Sequence, residues 1–162
     1  MRILALALVG LLLLGCDYTV PLVTKPETKI DPALIGVWHR TNDGKEERLL
    51  VLPLGETEYL VSFPAGNNES LFARACLTQV SEVPVVQLRW FGTGQGVLPD
   101  DDRVYQYATY AVGADTLTVQ MLNNEVVAKG TKTSEELLKT IAESMDQPDL
   151  FREPMVFQRL KQ

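Results

Sequence analysis

VYQYATYAVGADTLTVQML, residues 104–122, decides the fold. Val104 to Val112 is rich in aromatic residues, and Gly113-Ala114-Asp115 is turn material. From Thr116 to Leu122 the chain alternates, with Leu117, Val119 and Met121 set against Thr116, Thr118 and Gln120. Alternation with a period of two sends successive side chains to opposite faces of a strand, so one face is apolar and the other polar. The unit is strand, turn, strand.

Working outward, the same unit recurs. Upstream, Ile35 to Arg40 leads into a hairpin loop, Thr41-Asn42-Asp43-Gly44-Lys45. Glu47 to Leu54 runs to a turn at Gly55, and Thr57 to Phe63 places Tyr59, Val61 and Phe63 on one face. Ser70 to Val80 and Pro84 to Phe91 follow, and then a long loop, Gly92 to Arg103. Downstream the period changes. Thr133-Ser134-Glu135-Glu136 reads as a capping box, in which the threonine hydroxyl accepts from the third backbone N–H and Glu136 reaches back. Leu137, Leu138, Ile141 and Met145 form one helical stripe that Pro148 closes, and Pro154 to Leu160 is the last strand. Eight strands in sequence, with one α-helix before the last, predict a mainly β domain over residues 31–162: an antiparallel meander closed as a small barrel, which leaves no exposed edge. A half-open barrel or a two-sheet sandwich is the alternative.

The opening segment is of a different kind. Arg2 is a thin positive region, and Ile3 to Leu14 is an apolar run too short to span a bilayer as a helix. It ends in Leu13-Leu14-Gly15-Cys16, which resembles the bacterial lipobox, with Leu13, Gly15 and Cys16 matching and Leu14 larger than is usual. The resemblance implies a lipoprotein signal peptide over residues 1–15, removed after lipidation of the Cys16 thiol, and a mature chain held in a bacterial cell envelope and facing the periplasm. One acyl chain binds a membrane only marginally, whereas two or more hold firmly. Asp17, beside the lipidated position, resembles the inner-membrane retention signal of enteric-type bacteria, so the inner membrane is expected over the outer. Residues 17–30 (DYTVPLVTKPETKI) have two prolines, no glycine and no period. They read as an extended tether reaching roughly 40 Å at about 3.1 Å per residue.

At 162 residues there is room for one domain with one core. Losing Arg2 with the leader takes the formal charge from −6 to −7. An acidic chain repels phosphate backbones, which argues against nucleic acid as a partner.

Asp31-Pro32-Ala33-Leu34-Ile35-Gly36-Val37-Trp38 combines an N-cap, a proline at the first helical position and Gly-x-Trp on the first strand. This is similar to the entry of lipocalin-like barrels, where the tryptophan plugs the barrel floor. Gly36 and Trp38 match that pattern, and Arg159 stands where the family has an arginine stacked on the tryptophan. The helix departs from it, preceding the eighth strand where lipocalins place theirs after it.

Chemistry is scarce. His39 is the only histidine, so a zinc site would have only Cys76 beside it, and no nucleophile elbow occurs. Cys76 reads as a small buried hydrophobe, with Arg74 keeping a redox role open. The loop from Gly92 has alternating glycines but no Gly-Lys-Ser/Thr, and Asp100-Asp101-Asp102 lacks the alternate spacing of a calcium loop. No metal, cofactor or catalytic constellation is expected. Tyr105 and Tyr107 on one strand face and Tyr110 on the other are candidates for binding. The expectation is therefore a non-catalytic envelope lipoprotein that binds a protein partner or belongs to an envelope assembly. The alternative is a lipocalin-like carrier of a small apolar ligand, and the volume inside the barrel discriminates between them.

Overall fold

The computed structural model describes residues 18–66 and 69–161. A 3₁₀ turn, Pro32–Leu34, is followed by β1 (Gly36–Asn42), β2 (Lys45–Pro53), β3 (Tyr59–Phe63), β4 (Leu71–Val80) and β5 (Val83–Thr93). Then come β6 (Tyr105–Val112), β7 (Thr116–Met121), the helix α1 (Ser134–Glu143) and β8 (Met155–Arg159). Each strand pairs antiparallel with the next, and β8 returns to β1 through Trp38 and His39. The described residues form a closed eight-stranded meander barrel with one α-helix before the last strand.

Alternation builds the inner face. Val51 stands opposite Val61, Val61 opposite Ala73, and Ala73 opposite Trp90. On the other side Tyr110 faces Val119, and Leu117 lies between Val112 and Phe157. Tyr59, Val61, Phe63, Leu117, Val119 and Met121 thus belong to one interior core. In a meander, alternate connections share an end. The 3₁₀ turn and the β2–β3, β4–β5 and β6–β7 turns lie at one end, which Trp38 plugs. The β1–β2 hairpin, the β3–β4 and β5–β6 loops and the two ends of the connection that carries α1 lie at the other, the open end.

Two tight hairpins share a backbone but not a sequence type. Asp43 and Gly44 join β1 to β2 with φ of 47° and 75°, the left-handed pair that Asp-Gly supplies readily. Ser81 and Glu82 adopt 48° and 68° between β4 and β5, where no glycine relieves the Cβ.

A second apolar cluster covers part of the outside. It joins Tyr18, Val80, Val85, Tyr107, Leu122, Val127, Leu137, Ile141 and Leu150. The helix starts as the capping box requires, with Glu136 N–H donating to the Thr133 hydroxyl at 3.1 Å. Glu136 itself accepts from the Lys132 N–H, one residue farther out than expected. Leu137 and Ile141 are buried, but Leu138 is exposed, so the buried stripe is narrower than the sequence suggests.

The expectation of an extended tether that reaches away from the domain is corrected over residues 18–30, which lie along the outside of the barrel. Tyr18 exchanges two backbone hydrogen bonds with Tyr105, at 3.1 and 3.0 Å, and its hydroxyl donates to Val127 O at 2.6 Å. The Gln87 side chain clamps the middle, accepting from the Leu22 and Val23 N–H groups at 2.7 and 2.9 Å and donating to Val23 O at 3.0 Å. Ile30 N–H donates to Glu56 O at 2.9 Å. Tyr18, Val20 and Leu22 would otherwise leave apolar surface in water, and packing them on the barrel removes it at about 25 cal/mol per Å².

Candidate functional site

The closed end is built around Trp38, which is completely buried and donates from its indole N–H to Leu34 O at 2.9 Å. Arg159 stacks on it, 4.0 Å from guanidinium carbon to ring centroid. The same guanidinium donates to Ile35 O at 2.8 Å and Ala33 O at 2.6 Å, tying the 3₁₀ turn to the last strand. Gly36 is what lets it in. A Cβ there would meet Arg159 Nη1 at 2.9 Å, and its φ of +144° disfavours any side chain.

Behind the plug the interior holds a cavity of about 100 Å³, lined almost wholly by aliphatic and aromatic side chains from Leu34 and strands β2 to β8. Trp90, Gln106 and Tyr59 are hydrogen-bonded at its wall. Trp90 Nε1 donates to Gln106 Oε1 at 2.7 Å, and the Tyr59 hydroxyl accepts from Asp31 N–H at 2.5 Å and donates to Asp31 O at 3.2 Å. Burial pushes the Tyr59 hydroxyl up to about 12, against the lowering effect of its bond to Asp31. Tyr110 is raised for the same first reason, with the Asp31 charge adding to it.

At the open end Arg40 takes the place that the plug occupies below. Its guanidinium lies 5.3 Å from the Phe157 centroid and 5.9 Å from that of Phe63, two rings set edge to face. Glu47, across the β1–β2 ladder, accepts from Arg40 Nε and Nη2 at 2.6 Å.

The three tyrosines singled out in the sequence part company. Tyr110 lines the cavity. Tyr107 points outward and is buried under Tyr18, ring centroids 5.3 Å apart, with its hydroxyl donating to Val20 O; burial raises its pKa strongly. Tyr105 borders a shallow outer groove of about 240 Å³ beside the Gln87 clamp, together with Glu58, Arg74, Cys76 and Arg89. Cys76 is buried there, its thiol pushed up to about 11 by burial first and by the Glu58 charge second. A thiol so raised is a poor nucleophile at neutral pH.

Among the described residues no group of three or more His, Cys, Asp or Glu side chains could hold a metal ion. His39 faces outward on β1 between Arg48 and Gln158. Asp101 pairs with its neighbour Arg103, whose hydrogen bonds hold its carboxyl below the ordinary range. Cys16 and Asp17 lie outside the described residues. Sequence reading missed Gln87 and Arg40. Gln87 sits among apolar neighbours in β5, a buried amide that must have a partner, and that was the available signal.

No family model, curated protein or solved structure matches the chain.

Proposed function

We propose that the protein is a non-catalytic lipoprotein of a bacterial cell envelope, lipidated on Cys16 and facing the periplasm. Its barrel binds a protein partner or forms part of an envelope assembly. The observation that carries this reading over a carrier role is the interior, where the residual 100 Å³ is well below the roughly 300–1,000 Å³ of ordinary ligand pockets. Anchoring is supported by the lipobox resemblance, and inner-membrane retention by Asp17 where the host sorts as enteric bacteria do.

The apolar lining favours one second reading, carriage of a very small apolar molecule; an engineered dry cavity of about 150 Å³ holds benzene. The test uses full-length protein purified from membranes. The expected results are lipid mass on the peptide beginning at Cys16, lost in Cys16→Ser, and a specific protein adduct when photo-reactive residues on the outer face are activated in cells. A stoichiometric apolar compound extracted from the protein, with no adduct from any face, would replace the proposal by the carrier reading.

A further inference from the structure

The packed N-terminal segment fixes how an anchored barrel must sit. Cys16 precedes Tyr18 by two residues, and two fully extended residues span at most about 7 Å. Tyr18 is held to Tyr105 in both directions, so a lipid carried on Cys16 would start within that reach of the first residue of β6. Tyr105 stands at the open end. The closed-end turn at Ala114 lies beyond the far end of β6, about 25 Å along the strand.

That same end carries an exposed apolar patch. Val97 is 53% and Leu98 70% exposed, at the tip of the β5–β6 loop. The loop folds back so that Thr93 N–H donates to Val97 O at 2.9 Å, and Leu98 lies over Gly92. Phe91, also exposed, stacks on Phe72 with centroids 6.4 Å apart. Gly92 is three residues past Arg89, the partner of Tyr105, which puts the patch about 10 Å from the anchor point.

We infer that the open rim of the barrel faces the bilayer and that Val97 and Leu98, backed by Phe72 and Phe91, insert into the phospholipid interface. The inference rests on lipidation at Cys16. Asp100, Asp101 and Asp102 in the same loop repel an anionic surface, so the face taken is a zwitterionic one, and raising the anionic lipid fraction weakens insertion.

The experiment uses the full lipidated chain reconstituted into phosphatidylethanolamine–phosphatidylcholine vesicles. One environment-sensitive fluorophore is carried on Leu98→Cys or, at the closed end, on Ala114→Cys. The Cys16 thiol is consumed by lipid and Cys76 is buried, so the new thiol takes the label. Lipid-borne quencher is expected to dim position 98 several-fold more than position 114, and the contrast should shrink as phosphatidylglycerol replaces neutral lipid. Equal quenching in a chain that sediments with vesicles overturns the orientation alone. A chain that carries no lipid and stays in the supernatant overturns the anchoring as well.

Discussion

At the closed end Arg159 lies 4.0 Å from the Trp38 ring centroid and donates to two backbone carbonyls, with no carboxylate partner among the described residues. At the open end Arg40 lies 5.3 and 5.9 Å from two phenylalanine rings and is ion-paired with Glu47. Both are arginines on inner-facing positions, two strand steps or fewer from a barrel mouth. They differ in what would be stranded without them. Removing Arg159 takes donors from two carbonyls in and after the 3₁₀ turn and uncovers a fully buried indole. Removing Arg40 leaves a carboxylate that water can reach. The first is a lock and the second a rim.

The largest expected effect tests the lock. Trp38→Ala removes the bulkiest of the fully buried side chains, and such truncations cost about 3–5 kcal/mol, a large share of the roughly 5–15 kcal/mol that holds a domain folded. Denaturant unfolding of the mature chain should show the midpoint falling sharply. A double-mutant cycle of Trp38→Ala with Arg159→Met should give a coupling of about 0.5–3 kcal/mol. Additive losses would mean that the stacking contributes nothing and that Arg159 acts through its carbonyl bonds alone.

Gly36→Ala comes next, at about 1–3 kcal/mol for a side chain at a φ that L-residues avoid. Because the new Cβ also meets Arg159 Nη1 at 2.9 Å, the loss should be smaller in an Arg159→Met background. An equal loss in both backgrounds would assign the whole effect to backbone strain.

The lock was legible in the sequence and the rim was not. Gly-x-Trp and Arg159 are short signals that a resemblance alone connected, and the register brings Trp38 opposite Arg159. Alternation at Leu117, Val119 and Met121 placed the inner face, and Asp43-Gly44 announced its hairpin by composition. Ser81-Glu82 makes the same turn without the favoured residues, because ladder pairing along β4 and β5 imposes it. The segment from Tyr18 to Ile30 misled for a related reason. Proline and the lack of period did indicate extended chain, but only tertiary structure supplies the Gln87 clamp and the Tyr107 platform on which that chain rests.

Alkaline pH should add a further test, because a buried hydroxyl of the interior and a buried thiol of the outer groove titrate late. Tyr59 is pushed up to about 12 and Cys76 to about 11, both by burial. Each is a neutral acid whose folded pKa lies above its unfolded value. Its contribution to stability is therefore complete below about pH 9 and is lost as the pH climbs from there toward 12. The unfolding midpoint is expected to hold steady from pH 7 to 9 and then decline, with Cys76→Ala postponing the onset toward the tyrosine range. An unchanged midpoint at pH 11 would mean that these groups titrate as freely in the folded chain as in the unfolded one.

Arg40→Met is the smallest effect and the clearest test of the rim. The Arg40 and Glu47 side chains are 18% and 25% exposed, so the pair is neither freely solvated nor sealed. Partly exposed pairs contribute about 0.2–1 kcal/mol, and an open cation–π contact about 0.5–1 kcal/mol. Methionine restores part of that by packing its thioether on Phe63 and Phe157, leaving an expected net loss below about 1 kcal/mol. Arg159→Met, the same chemical change at the other end, should cost more, because it uncovers the fully buried Trp38 indole and takes donors from two backbone carbonyls, one of them part-buried. Raising the salt concentration should narrow the Arg40 difference, by screening the pair, and leave the Arg159 difference in place. Equal losses at the two positions would show that the open end is locked as firmly as the closed one. The Arg40–Glu47 pair would then be a second plug, closing the interior to any ligand from that side.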